Sequence, residues 1–383
     1  MANRKYNLQK VNFHHLVLEG TQYEVGQQLG RMIGNLPGGN EFATSGKIDL
    51  EKVGFSSFDK LWDYTEECCP GITQEIQGFA DHFEITPDKV PFWNWTFNDS
   101  LGGGCSQFAV LSSIAQNQRT FVGRSYEWNH KEEDLKLITT RINGKAAHIG
   151  FSCLMHGRHD GMNEKGLIVS MTGGGIFGIP FKHRGPMFWL AIRTLLDTCA
   201  SVDNALSCLE TLPMTGYFTL LFTDEHSAAI VEVADGKMSS HQIYKEDTDQ
   251  FVYSVNHFRL PNMKQYNTLN CGIITHSKIR QKLINDLYRS KSPNIRKDDV
   301  QSLLATLHPH GLCNHFYNDG FGTLWSMVFD LTQATVDVCF SAPTHNQYRI
   351  FDLKDPPGIT EYPTVVPITN WFKIKEFNQL RCR

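Results

Sequence analysis

A chain of 383 residues carries 36 basic and 40 acidic side chains, ten cysteines and a mean hydropathy of −0.31. Charge this balanced leaves no nucleic-acid footprint, and no apolar run approaches the roughly 20 residues a membrane helix needs. Ten cysteines fall short of disulfide-scaffold density and show no Cys-x-x-Cys spacing, and residues 1–7 lead into no apolar signal core. A cytoplasmic protein with reduced thiols and no metal or other cofactor is therefore expected.

In chain order, residues 1 to about 100 read as mostly helical. Tyr23, Val25, Leu29 and Ile33 recur at helical spacing, and so do Phe58, Leu61, Trp62 and Tyr64. His14 and His15 precede a strand-like Leu16-Val17-Leu18 and read as structural. From Cys105 the pattern changes to strands. Segments 105–111 and 120–128, around a turn at Gln116-Asn117-Gln118, form a predicted hairpin. Segments 135–142 and 147–154 alternate with turns, and 166–171 reads as a buried strand ending in glycines. Helices are predicted over 188–199 and, capped by Ser201, over 204–212. Strands follow over 218–224 and 228–233, then a helix over 277–287. Strands, helices and strands again suit an α+β sandwich of two sheets between helices.

The chemistry concentrates at Gly102-Gly103-Gly104-Cys105, where a thiol stands at the open end of the predicted hairpin. Taken alone, this reads first as an ordinary buried cysteine after a flexible loop. The sharper reading is cleavage of the Gly104-Cys105 bond. Glycine leaves its carbonyl unshielded, so the next residue's thiol can attack it from within the chain. The cut would give Cys105 a free α-amine with an ordinary pKa of roughly 7.7–8.0, a usable base near neutrality. Nucleophile and base would then share one residue. Arg124 and Glu127 stand on the returning strand. Three apart, they face opposite sides of an extended strand, so a simple ion pair along one face needs a bulge or a strand end.

The chain resembles the N-terminal-nucleophile hydrolases, on the branch of the choloylglycine hydrolases and the acyl-coenzyme A:6-aminopenicillanic acid acyltransferases. The resemblance runs in order over roughly residues 17 to 352. It is carried by Gly20-Thr21-Gln22-Tyr23-Glu24-Val25-Gly26, Pro70-Gly71-Ile72, Gly104-Cys105 and Gly123-Arg124-Ser125-Tyr126-Glu127-Trp128. Asp160-Gly161-Met162-Asn163, Val255-Asn256-His257-Phe258 and Ser326-Met327-Val328-Phe329-Asp330 continue it. It implies a four-layer αββα sandwich over 105–383 behind a helical segment over 1–104, the small piece after self-cleavage. It implies Cys105 as nucleophile, Arg124 at its thiol and Glu127 at its α-amine. Asn256 and a backbone N–H at Thr172 or Gly173 would hold the oxyanion, and Arg280 matches a late arginine of the family. Ser125 and Glu127 depart from the family's Asn and Asp. Thr172-Gly173-Gly174-Gly175 departs from the bile-salt branch, which argues against a bile-salt substrate.

The reaction implied is hydrolysis of a linear amide, or acyl transfer with acyl-coenzyme A as the alternative donor. Trp128, Phe177 and Phe181 are expected at the wall of a pocket for an apolar acyl group of a small molecule. The two cleavage pieces are expected to stay together, and self-association of the protein is left open. Competing readings are a non-catalytic, uncut protein on the same fold, and a metal site at His156 and His159. His308, His310 and His315 read as loop residues, and Thr172–Gly175 lacks the Gly-Lys-Ser/Thr of a phosphate loop.

Overall fold

The computed structural model describes residues 6–94, 104–174, 185–247, 251–267 and 272–369. The chain opens with strand β1 (Asn7–Gly20) and helices α1 (Gln22–Gly34), α2 (Gly39–Ala43), α3 (Leu50–Val53), α4 (Phe58–Cys68) and α5 (Ile72–His82). α1 starts at a capping box in which Thr21 and Glu24 satisfy each other's backbone N–H groups. The hairpin β2 (Gly104–Val110) and β3 (Phe121–Trp128) follows, then β4 (Lys136–Ile142), β5 (His148–Cys153), β6 (Gly157–Arg158), β7 (Asp160–Asn163) and β8 (Ile168–Gly173). Helices α6 (Phe188–Thr198) and α7 (Val202–Thr211) come next, the second capped by Ser201 as expected. Strands β9 (Tyr217–Thr223), β10 (Ser227–Ala234), β11 (Lys237–Tyr244) and β12 (Phe251–Ser254) lead to α8 (Gly272–Lys291) and α9 (Lys297–Ala305). The chain closes with β13 (His315–Phe316), β14 (Phe321–Asp330), β15 (Thr335–Phe340), β16 (Tyr348–Phe351) and β17 (Gly358–Ile368).

Among the described residues the strands form two sheets. The larger runs β11-β10-β9-β8-β7-β5-β4-β1-β17, and the smaller runs β12-β2-β3-β14-β15-β16. Period-two alternation assigns their faces. Val169, Met171, Leu220, Phe222 and Val231 of the larger sheet pack outward under α1, α4, α5, α6 and α7. Ile168, Leu221 and Ile230, one residue out of phase, pack inward against Ala109, Val122, Trp325, Met327 and Phe329 of the smaller sheet. Phe108, Val110, Phe121 and Val328 face the other way and meet Ile284 of α8 and Val300 and Leu304 of α9. Helices, sheet, sheet and helices stack in that order, which is the expected αββα sandwich.

One expectation changes. The segment before Gly104 is not only helical, because β1 lies inside the larger sheet. It pairs antiparallel with β17, from Asn7↔Ile368 to Val17↔Gly358, and parallel with β4, from His14↔Lys136 to Gly20↔Ile142. No helix among the described residues is long and apolar enough to cross a membrane.

Candidate active site

The β2–β3 hairpin sets Gly104 opposite Glu127, Cys105 opposite Tyr126 and Gln107 opposite Arg124. Alternation sends the side chains of Cys105, Arg124 and Tyr126 between the two sheets. Ser106, Ser125 and Glu127 turn to the face that carries α8. Arg124 and Glu127 therefore make no simple pair along one face. The local register slip lies on the neighbouring β14, between Thr323 and Trp325.

Between the sheets, Arg124 is fully buried and its Nε–H donates to Asp160 Oδ2 at 3.3 Å. The same carboxylate accepts from Trp325 Nε1–H at 3.1 Å and, through Oδ1, from the Phe151 N–H at 3.1 Å. The Arg124 guanidinium lies against the Cys105 thiol, which the Gly173 N–H also approaches. Burial pushes that thiol above its ordinary pKa. Arg124 pulls it down and Glu127 pushes it up.

On the other face Arg280, also fully buried, reaches down from α8. Its Nη1–H donates to the Cys105 carbonyl oxygen and to Ser106 Oγ, the latter at 2.9 Å. Its Nη2–H donates to Asn256 Oδ1 at 2.6 Å. The same Oδ1 accepts the backbone N–H of Cys105 at 2.9 Å, and Asn256 Nδ2–H donates across to the Gly173 carbonyl at 3.1 Å. Glu127 accepts from Ser125 Oγ–H and, at 3.4 Å, from Thr323 Oγ1–H. Burial raises its carboxyl to about 7, against the pull of Arg280, Ser125 and Arg124. Two guanidinium groups thus flank Cys105 from opposite faces of its strand, Arg124 on the side of the thiol and Arg280 at the carbonyl. Cations so placed favour a neutral amine there and an anionic sulfur beside it.

Gly104 has a steric reason as well. A Cβ at this position would lie 2.1 Å from Cζ of Phe321, so a larger residue fits only if that ring moves. Thr172 is near but turned away, its hydroxyl 3.0 Å from Ser254 Oγ and donating to the Val255 carbonyl at 3.2 Å. Gly173 makes the contact with Cys105 instead. Trp128 lines a cavity of about 300 Å³ beside Tyr126, together with Trp189, Glu133, Asp134 and His159. Aromatic and charged side chains share this wall. Tyr126 Oη–H donates to Glu133 Oε2 at 2.9 Å. Phe177 and Phe181 lie outside the described residues. A second, polar cavity of about 500 Å³, near Lys165 and Asp224, sits at the far end of β8 from Gly173.

His156 and His159 diverge. The first meets Glu75 Oε1 through Nδ1 at 2.9 Å, the second Glu133 Oε1 at 3.4 Å. Glu75 on α5 also accepts from Arg193 on α6 at 2.6 Å, and Arg193 Nε–H reaches Asp197 at 3.0 Å. Burial alone would raise the Glu75 carboxyl, yet Arg193 and His156 hold it below the usual carboxylate range. His315 Nε2 lies 2.7 Å from Thr344 Oγ1. Sequence reasoning assigned no role to Asp160, although it opens a segment that carried the resemblance. A buried arginine needs a buried anion, and that was the available signal.

Residues 114–345 match the family model described as acyl-coenzyme A:6-aminopenicillanic acid acyl-transferase. The matched stretch begins downstream of Cys105 and contains Arg124, Glu127, Asp160, Asn256 and Arg280. No curated protein sequence matches the chain. Similar solved structures include a Caenorhabditis elegans N-acylethanolamine-hydrolyzing acid amidase ortholog, at 15% identity and TM-score 0.42 over 59% of this chain and 93% of that one. Penicillin V acylase from Agrobacterium tumefaciens aligns at 18% identity and TM-score 0.41 over 67% and 90%. A mutant conjugated bile acid hydrolase from Clostridium perfringens aligns at 12% identity and TM-score 0.41 over 67% and 96%.

Proposed function

The chain belongs to the acyl-coenzyme A:6-aminopenicillanic acid acyl-transferase family, and from that premise we propose a self-processing enzyme that cleaves linear amides through an acyl-enzyme on Cys105. The observation that carries the proposal is the Cys105 N–H, 2.9 Å from Asn256 Oδ1, on a residue whose thiol Arg124 pulls toward its anion and whose carbonyl is held by Arg280.

In processing, Cys105 Sγ adds to the Gly104 carbonyl carbon. The Gly104–Cys105 C–N bond breaks, and the nitrogen takes up the thiol proton and becomes an amine. Water then hydrolyses the thioester, leaving a carboxylate on Gly104. In catalysis the same sulfur attacks a substrate amide. Its own α-amine accepts the thiol proton and passes it to the departing amine. Asn256 Nδ2, which donates one hydrogen to the Gly173 carbonyl and has a second to offer, and the Gly173 N–H stabilise the oxyanion. Arg124 stabilises the thiolate, and Asp160 holds Arg124 in place. Glu127 faces the α-amine from the outer side of β3. Water resolves the acyl-enzyme in hydrolysis. An acceptor amine resolves it in acyl transfer, with acyl-coenzyme A as the alternative donor, a reading that the family's description favours.

The substrate is a small amide whose apolar part packs near Trp128 and Trp189. The two pieces stay together after the cut, because β1 is hydrogen-bonded on both edges to strands beyond it and Glu75 is ion-paired to Arg193. We place the protein in the reducing cytoplasm, where a free Cys105 thiol persists.

The denatured mass tests the proposal. The first 104 of 383 residues of a 43.5 kDa chain should separate as a piece of roughly 12 kDa from one of about 32 kDa. Incubation with a reactive amide or ester should add an acyl mass to the larger piece alone. A single species that stays at 43.5 kDa and takes no acyl group identifies the protein as the non-catalytic alternative.

A further inference from the structure

We infer that His276 is a positioning residue: fixed as its Nε2–H tautomer, it aims the Arg280 guanidinium at the main chain of Cys105. The inference rests on the reading of Cys105 as nucleophile.

Its basis is a chain of hydrogen bonds whose directions leave no choice. Arginine carries donors only. Arg280 Nε–H lies 3.0 Å from His276 Nδ1, so that nitrogen presents a lone pair. The ring proton then sits on Nε2, which donates to Asn314 Oδ1 at 3.0 Å. The Asn314 amide is itself oriented, since its Nδ2–H donates to the Leu312 carbonyl at 3.1 Å. Asn314 is anchored to β14, its N–H donating to Thr323 Oγ1 at 2.8 Å and its carbonyl accepting the Thr323 N–H at 2.9 Å. Thr323 returns to the site through Glu127. The ring plane is held by His308, stacked at 3.9 Å between centroids, and by the edge of Phe321 at 5.4 Å.

An imidazolium would turn a donor toward Arg280 Nε–H and set two cations together without water. The ring is therefore kept neutral, and burial, Arg280 and His308 all push its pKa down. The spacing of four residues on α8 puts both side chains on one helix face. With Nε–H tied to the ring, the two remaining nitrogens of Arg280 point along the strand, one at the Cys105 carbonyl and one at Asn256 Oδ1. Once that tie is lost the guanidinium has several other rotamers. The groups that face the Cys105 nitrogen are then Arg124 and Glu127 from β3 and the Asn256 amide, with Asp160 of β7 behind Arg124.

Leucine and asparagine share the same branched skeleton of four heavy side-chain atoms; leucine offers no hydrogen-bonding atom, whereas asparagine Oδ1 stands near the place of Nδ1 and accepts a hydrogen bond. His276→Leu should slow the appearance of the large piece, and lower kcat of the processed enzyme, by about 10²-fold, the cost of an ångström-scale misplacement. It should also move the acidic limb of the pH–kcat profile to higher pH, because a receding cation no longer depresses the α-amine pKa. His276→Asn should restore most of the rate and return the limb toward the wild-type position. A packing role alone lowers amplitude without moving the limb. The inference is overturned if Leu and Asn behave alike, or if the limb stays fixed in both. Should His276→Leu fail to fold, Asn314→Ala, which removes the acceptor beyond the ring, must move the limb in the same direction. A wild-type chain that neither cuts nor turns over defeats the reading of Cys105 itself, whereas a wild type that cuts and is matched by His276→Leu defeats only the role of His276.

Discussion

Glu127 stores an energetic penalty that depends on pH and can be measured without any substrate. Its carboxyl is buried, its Oε2 has no hydrogen-bond partner, and its pKa is raised from 4.5 to about 7. At about 1.36 kcal/mol per tenfold change in proton affinity, that displacement amounts to roughly 3 kcal/mol. The folded state holds the proton more tightly than the unfolded chain, so this contribution is fully present below about 4.5 and is lost as pH rises through about 7. Glu127→Gln removes the ionisation and keeps an oxygen for the Ser125 and Thr323 hydroxyls. Any fixed cost of the buried amide is the same at every pH and cancels in a comparison. The measurement is urea unfolding, followed by tryptophan fluorescence, of Cys105→Ala with and without Glu127→Gln, so that both chains stay uncut. Between about pH 4.5 and 8.5 the stability difference should shift by about 3 kcal/mol in favour of Gln. A shift below about 1 kcal/mol would mean that Glu127 is ionised in the fold at little cost, and the reasoning about its burial would fail.

Two further outcomes follow from the same geometry. Asn256→Ala should lower turnover of processed protein by about 10²–10³-fold, the usual cost of one oxyanion donor; near-normal kcat in a folded, cut variant would remove Asn256 from that role. Gly104→Ala should block or strongly slow the cut, because the new Cβ meets Phe321 Cζ at 2.1 Å. Adding Phe321→Leu should recover part of the rate on a gel time course, and equal cutting by Gly104→Ala and wild type would show that the ring yields.

Much of this arrangement was legible in the sequence because it is local. The hairpin, the helix cap at Ser201 and the buried strand before Thr172 each write their period or their cap into a few adjacent residues. Arg280 was harder to read. On a helix an arginine is expected at the surface, and only the tertiary structure shows it fully buried against β2. Asp160 meets Arg124 across two sheets, a pairing no local pattern encodes. Of β1 only the strand-like Leu16-Val17-Leu18 was legible, because its first half, Asn7 to Asn12, is largely polar and mostly exposed. What makes it a strand is a pair of partners far along the chain, β4 and β17.

The pairing of β1 with β17 sets Asn7 directly opposite Ile368. The first and last strands are therefore neighbours, while the bond proposed for cutting lies far from both in sequence, at the head of β2. Such an arrangement permits circular permutation. A gene that begins at Cys105, joins β17 to β1 through a linker and stops at Gly104 would keep the paired strands between their present partners. Once the initiator methionine is removed, its first residue would be the nucleophile with its α-amine already free. Maturation and catalysis, tied together in the natural order of the chain, would become separate properties of one fold.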